Sequence, residues 1–182
     1  ASFGATLAMT SGAVLLFGQW AVVSYSFALS LIPTAVIILV SKLKNASPAT
    51  MIMAGIGVMY IFNALTTVLM LWANPQDLAR IFQWQVGILA NITWPSVPII
   101  AAVVLPGVVA VQILSNKLNV LATGDDTAKS MGVDADRTRV LCLVLVGLIS
   151  AAIVSFTGLI GFVGLVTPHI VRMFIGADNR FL

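Results

Sequence analysis

The chain has little of what soluble enzymes and metalloproteins are built from. Its 182 residues include one cysteine, one histidine and 8% charged side chains, whereas soluble globular domains carry about 25% charged residues. One Cys and one His exclude a disulfide framework and a metal site built from two such ligands. Nine Lys and Arg against six Asp and Glu are too sparse for a nucleic-acid interface, so we interpret the formal charge of +3 as a bias between loops.

Long apolar runs dominate what is present. The sequence is 60% hydrophobic with a mean hydropathy of +1.09. Because helices satisfy their own backbone hydrogen bonds in lipid, these runs predict an all-α, polytopic transmembrane bundle that forms a single domain over residues 1–182. Four runs are long enough to cross a bilayer: Trp20–Val40, Ala49–Trp72, Pro95–Leu114 and Val140–Thr157.

Two further apolar segments, Gly4–Phe17 and Pro168–Ile175, are too short to span and are expected to be half-helices. Between the fourth span and the second of these, Gly158–Leu165 carries a glycine at every third position, which predicts a bend. Irregular backbone at membrane depth is tolerated only where it is buried or lines a cavity. This segment, with Gly161 and Gly164, is therefore a candidate translocation pathway, the alternative being an apolar surface loop.

Polar side chains within apolar segments are the other pathway candidates. Asn63 and the neighbouring pair Thr66 and Thr67 lie in the second span, where they either line a pathway or form interhelical hydrogen bonds. His169 follows Pro168 and is expected to be a hydrogen-bonding turn residue at the top of a half-helix, the alternative being a protonatable group on the pathway.

The loops differ sharply in basic residues. Eight of the nine Lys and Arg fall in alternate loops, and Arg80 is the exception. The positive-inside rule places the basic loops in the cytoplasm and the Arg80 loop outside. Within that outer loop, a short helix is expected around Asp77–Trp84, ended by Gly87, either as a platform near a pathway entrance or as a connector.

One cytoplasmic loop, residues 115–139, holds four of the nine basic and four of the six acidic residues. Asp125 and Asp126 would lie in the first turn of a short helix, with Lys129 in its last turn and Gly132 just past it. We expect two short helices that dock on a soluble partner; an ordered loop without a partner is the alternative. The apolar residues of this surface are Leu121, Ala128, Met131 and Val133.

The sequence has no catalytic machinery of its own. None of its lysines lies in a Gly-Lys-Ser/Thr phosphate-binding loop. All six acidic residues fall in predicted loops, which disfavours an ion-coupled secondary transporter. That class and a non-transporting membrane scaffold are the alternatives to a transport subunit driven by a partner.

At the C-terminal end, the stretch from Gly158 to Arg172, GLIGFVGLVTPHIVR, and the following GADNR at residues 176–180 resemble the hallmark of FecCD-type permeases. These are the membrane subunits of ABC importers for iron-siderophores, haem and cobalamin. Residues 121–133 resemble the coupling segment of that family. The typical ending Asp-His-Arg is Asp-Asn-Arg here.

The resemblance implies a type II ABC importer permease and assigns residues to roles. The coupling segment that docks on the ATPase would comprise Leu121, Gly124, Asp125, Asp126, Ala128, Met131, Gly132, Val133, Arg137 and Arg139. The cytoplasmic gate would be Ser47, Pro48, Ala49 and Thr50, and the pathway would include Asn63, Gly161, Gly164, Pro168 and His169. A cytoplasmic turn would hold Arg172, Gly176, Asp178 and Arg180.

The resemblance also implies the assembly. A homodimer of permeases in the inner (cytoplasmic) membrane would work with an ABC ATPase, which binds ATP and Mg²⁺, and with an extracytoplasmic substrate-binding protein. The permease itself would hold no cofactor or metal. This chain would supply the third through eighth spans, so we expect it to be part of a longer permease, with the substrate open among siderophores, haem, cobalamin and oxyanions.

Overall fold

The computed structural model describes residues 1–41, 48–87, 89 and 92–176. Over these ranges the chain is helical and contains no strand. The helices are α1 (Ser2–Thr10), α2 (Ala13–Phe17), α3 (Gln19–Ser41), α4 (Pro48–Leu71), α5 (Pro75–Val86), α6 (Ser96–Leu121), α7 (Asp125–Ser130), α8 (Ala135–Thr157) and α9 (Val163–Ile175).

The four predicted spans are confirmed as α3, α4, α6 and α8, which are each long and apolar enough to cross a membrane. Two of them extend several residues beyond the apolar runs. Helix α6 continues past Leu114 to Leu121, because no glycine or proline interrupts the chain before Gly124. Helix α8 begins before Val140, because the Asp134 carboxylate caps it by accepting a hydrogen bond from the Arg137 amide at 3.0 Å.

The first short segment is divided rather than forming one half-helix. Helix α1 ends at Thr10, and Gly12 adopts a left-handed conformation (φ +73°) from which α2 starts. Gly18 (φ +59°) then turns the chain into α3. Since left-handed backbone favours glycine, these two residues fix where the segment breaks.

Small residues allow the helices to approach closely. A Cβ added to Gly4 of α1 would lie 2.8 Å from the Ser26 Cα of α3. In the same way, Gly147 of α8 leaves space for Thr34 of α3, whose Oγ1 would be 2.8 Å from an added Cβ. Packing between membrane helices depends on such contacts, because lipid provides no hydrophobic drive between them.

Helix α5 confirms the short helix predicted in the Arg80 loop. The Asn74 side chain caps it by accepting a hydrogen bond from the Asp77 amide at 2.8 Å, and its amide group donates to the Asp77 carboxylate at 2.7 Å. Gly87 ends the helix with φ +79°. Ile81 is buried, and α5 packs against α1, so this helix is attached to the bundle.

Replacing Asn74 with alanine removes the cap of α5. The loss of an N-cap costs about 1 kcal/mol, so we expect faster amide hydrogen exchange in the first turn of α5. Gln76→Ala, at the exposed second residue of the same helix, is the matched control. Equal exchange in the two variants would contradict the capping role.

The bundle has two ends that are clearly distinguished. Trp20 at the start of α3 contacts Phe156 at the end of α8, with ring centroids 6.1 Å apart, so these helices are antiparallel. The end that contains α5 and the start of α6 is called the α5 end. The opposite end contains Ser41, the end of α6, and α7, and is called the α7 end.

Candidate functional sites at the two ends of the bundle

Helix α7 has only six residues and would not be stable alone. Its C-terminus is a Schellman motif: the Val133 amide donates to the Ala128 carbonyl at 2.8 Å and the Gly132 amide donates to the Lys129 carbonyl at 3.0 Å. Gly132 has φ +78° and Gly124, before the helix, has φ +113°. Two glycines therefore determine the direction of α7.

Side chains fasten α7 to α8. Ala128 is 0% exposed, so one side of α7 packs inward. Arg139, in the second turn of α8, donates to the Asp125 carboxylate at 2.7 Å and lies 3.8 Å from that of Asp136. The ion pair of Arg137 with Asp134 at 3.1 Å stays within the start of α8. The loop is thus bonded directly to a membrane-spanning helix.

The outer side of the α7 region is open. Met131 is 63% exposed, and the charged side chains of Asp126 and Lys129 are exposed beside it. Of the four apolar residues expected on the docking surface, Met131 is exposed, Leu121 and Val133 are half-buried, and Ala128 is buried. The expectation that Ala128 lies on the outer surface is therefore wrong, and docking through this region stays a prediction.

The prediction of two short helices in this loop is wrong. Leu121 lies in the last turn of α6, and α7 is the one short helix described between α6 and α8. Val133 lies in the turn after α7, and its side chain is half-buried. The apolar residues at 118–121 continue α6 without a break.

The ion pair between Asp125 and Arg139 is accessible to a double-mutant cycle. Asp125 is 49% exposed and Arg139 21%, so a coupling energy of about 0.5–1 kcal/mol is expected for Asp125→Asn and Arg139→Gln. Thermal unfolding at low and high salt measures it, and salt should reduce it. The exposed pair of Arg137 and Asp134 is the control and should couple more weakly.

The pathway and gate candidates on α4 are mostly exposed. Pro48 is the first residue of α4, and Ala49, Thr50 and Asn63 have exposed side chains. Ser47 lies outside the described residues. The pathway role of Asn63 stays a prediction.

Thr66 and Thr67 of α4 form hydrogen bonds within their own helix, not the interhelical hydrogen bonds that were one of the two expectations. The Thr66 hydroxyl donates to the Phe62 carbonyl at 2.6 Å, and the Thr67 hydroxyl donates to the Asn63 carbonyl at 3.0 Å. Both bonds remain within α4, because a Thr hydroxyl reaches the carbonyl four residues earlier.

The predicted bend is confirmed but shorter than expected. It covers Gly158–Phe162, with φ +73° at the first residue and +65° at the last. Gly161 is exposed within it. Gly164, expected in the bend, instead lies in the first turn of α9, because a single glycine is tolerated inside a helix.

His169 and Pro168 lie inside α9, so the prediction of a turn residue at the top of a half-helix is wrong. The His169 side chain is exposed. Pro168 is the sixth residue of α9 and lies beyond its first turn, so residue 168 cannot donate the helical hydrogen bond to the Gly164 carbonyl. Helices α4 and α9 share no extended contact in the described chain.

The cytoplasmic turn is described only in part. Arg172 is helical and lies near the C-terminus of α9, not in the loop that was predicted. Gly176 follows the helix with φ +88°, and its amide donates to the Arg172 carbonyl at 3.0 Å. Asp178 and Arg180 lie outside the described residues.

Sequence reasoning missed the contact between α5 and the bend. The Leu159 amide donates to the Trp84 carbonyl at 3.2 Å, and Gly158 approaches Gly87 so closely that an added Cβ would lie 3.1 Å from the Gly87 Cα. Glycine at both positions was the available signal.

Beside this contact is a cavity of about 370 Å³, lined among others by Trp20, Arg80, Gln83, Trp84 and Phe156.

Known proteins share the sequence pattern and the overall fold of this chain. The model of the FecCD transport family matches residues 1–182. The chain belongs to this family. A solved inward-facing ABC transporter of the metal-chelate type superposes with a TM-score of 0.89 and 28% identity, covering 99% of this chain and 56% of that one.

Relatives at the sequence level are named as permease proteins and not as enzymes. The cobalamin import permease of Halobacterium salinarum is 33% identical over 183 residues, covering 100% of this chain and 48% of its own. The hemin transport permease of Yersinia pestis is 30% identical over 190 residues, covering 97% and 57%. This chain therefore spans about half the length of the curated relatives it matches.

Proposed function

We propose that the chain is the central part of the permease subunit of an ATP-driven importer for metal-chelate compounds. Membership of the FecCD family and the permease names of its relatives support this class. The observation that carries the mechanism is α7, a short helix bonded to α8 on one side and open on the other. An ABC ATPase would bind that open side.

The charge distribution supports a cytoplasmic α7 end. Lys117, Lys129, Arg137 and Arg139 all lie at this end, whereas Arg80 lies at the α5 end. Since basic residues are retained on the cytoplasmic side during insertion, the α5 end faces outward in the inner membrane. An extracytoplasmic substrate-binding protein would meet the α5 end.

Mechanical coupling follows from the bonds around α7. ATP-driven closure of two ATPase subunits, one on each permease of a homodimer, would displace the surface to which α7 binds. Because Asp125 and Arg139 join α7 to α8, the displacement is passed to a helix of 23 residues, about 35 Å long at ~1.5 Å per residue. Helix α8 ends at the bend before α9, so motion at the α7 end reaches the opposite end.

The cargo class follows from the relatives alone, which are named for cobalamin and hemin among other chelates. The pathway would run along the exposed surfaces of α4 and α9, with Asn63, Gly161 and His169 beside it. Residues 47–50 would form the gate at the cytoplasmic end. The ATPase, and not this chain, would hold ATP and Mg²⁺.

The experiment uses the full-length permease and its ATPase in proteoliposomes. Met131→Cys, in a Cys142→Ser background, should react with a membrane-impermeant maleimide only from the cytoplasmic side, and bound ATPase should block the reaction. Phe82→Cys on α5, with 56% exposure, is the control and should react from outside. Labelled cyanocobalamin, hemin and a ferric siderophore then test ATP-dependent uptake.

Two results would overturn the proposal. Labelling of position 131 from outside would invert the topology. Cytoplasmic labelling that the ATPase does not reduce, together with no ATP-dependent uptake of any of the three chelates, would leave a membrane scaffold instead.

A further inference from the structure

The C-terminal end of α5 meets the bend after α8 backbone against backbone. A Cβ on Gly158 would collide with the Trp84 carbonyl oxygen, and a Cβ on Gly87 would lie 3.0 Å from the Leu159 carbonyl oxygen and 2.8 Å from the Ile160 Cγ1. Both glycines have positive φ. Hence neither side of the contact accommodates a side chain, and the Leu159–Trp84 hydrogen bond depends on both glycines.

The contact controls a helix that has few other attachments. Helix α9 makes no more than isolated contacts with the other helices of the described chain. It starts at Val163, and its start is bonded to the bend: the Val163 amide donates to the Gly161 carbonyl and the Val166 amide to the Phe162 carbonyl, both at 2.9 Å. Its direction is therefore set by the bend, and the bend is held by α5.

Helix α5 packs against the rest of the bundle along one side. Ile81 is 1% exposed and α5 packs on α1, whereas Phe82 on another side of the helix is 56% exposed. One side of α5 thus packs on α1, and another side is open at the end where a partner would arrive.

We propose that Gly87 and Gly158 are positioning residues that fasten α9 to α5, so that the two helices move as one unit. The proposal rests on the proposed function, in which α9 borders the pathway and α5 faces outward. Displacement of α5 by a partner at the outer surface is passed to α9 through the Leu159–Trp84 bond. The unit thereby links events at the outer surface to a helix of the pathway.

Hydrogen exchange tests the fastening without any partner. In the full-length permease in nanodiscs, the Leu159 amide should exchange slowly although its side chain is 48% exposed. Gly158→Ala should accelerate exchange about tenfold at 159–166 and at 84–87, since the hydrogen bond between Leu159 and Trp84 and its surroundings are released. Gly18→Ala is the matched control, because Gly18 also has positive φ (+59°) but no atom within 4 Å of an added Cβ.

Distances between spin labels test the common movement. Labels at Phe82→Cys and Phe174→Cys, which are 56% and 84% exposed, report the separation of α5 and α9 in the permease–ATPase complex. The separation should be the same without nucleotide and with ATP, Mg²⁺ and vanadate, whereas labels at Tyr60→Cys and Phe174→Cys should report a change. In the Gly158→Ala background the α5–α9 separation should vary with nucleotide.

The outcomes separate this proposal from the proposed function. Exchange in Gly158→Ala that matches Gly18→Ala would overturn the fastening, as would an α5–α9 separation that varies with nucleotide in the native background. Native protection at Leu159 that Gly158→Ala removes, with no nucleotide-dependent change for either label pair, would uphold the fastening and count against ATP-driven transport.

Discussion

Gly132→Val combined with Gly124→Val is expected to abolish uptake while ATP hydrolysis by the assembled complex continues. Both glycines have positive φ, and neither has an atom within 4 Å of an added Cβ, so the effect is backbone strain and not collision. A β-branched residue in left-handed backbone costs about 1–2 kcal/mol. Together the two substitutions cost about 2–4 kcal/mol, and α7 has six residues and no side-chain cap at its N-terminus, so α7 would leave its native direction.

The measurement is ATP hydrolysis and chelate uptake in the same proteoliposomes. Gly132→Asn is the matched control, because asparagine tolerates left-handed backbone and can end a Schellman motif; it should retain uptake. Coupled uptake in the double valine variant would show that the direction of α7 is unimportant and would remove the basis of the docking mechanism.

Gly4→Leu is expected to prevent the native packing of α1 on α3. A side chain at this position would meet the Tyr25 carbonyl and the Ser26 Cα, which are main-chain atoms within a membrane-spanning helix and cannot rotate away. Overpacking costs about 1–3 kcal/mol even where side chains yield, so we expect about 3 kcal/mol or more here. For a chain of this size, that lowers the unfolding midpoint by about 6–12 °C.

Thermal unfolding in detergent, followed by reaction of the half-buried Cys142 thiol with a fluorogenic maleimide, measures this loss. Ala35→Leu is the control. Ala35 lies on α3, the helix that Gly4 contacts, but its side chain is exposed, so a larger side chain is accommodated there. An unchanged midpoint for Gly4→Leu would mean that α1 does not rest on α3 through this glycine.

The local features of the docking region could be predicted because they depend on neighbours in sequence. Asp125, Lys129 and Gly132 mark the start and end of α7 by charge and by the left-handed conformation that glycine permits. The ion pair of Asp125 with Arg139, fourteen residues apart, could not be predicted, because it requires the direction in which α8 leaves the loop.

The same division holds for the pathway segment. Glycines at 158, 161 and 164 correctly predicted a bend, but their different roles depend on what lies nearby. Gly158 is pressed against α5, Gly161 is exposed in the bend, and Gly164 is helical. The turn position predicted for His169 is wrong for a related reason: a proline often marks the start of a helix, whereas α9 begins five residues before Pro168.

By itself, the sequence predicted the membrane class, the four spans, the short helix in the Arg80 loop and the uneven distribution of basic residues among the loops. These follow from hydropathy, helix capping and charge counts, which act over one or a few turns. Only the tertiary structure decided which glycines face another backbone, how α7 is bonded to α8, and that α5 holds the bend before α9. Those contacts join residues far apart in the chain, so their geometry exists only once the helices have packed.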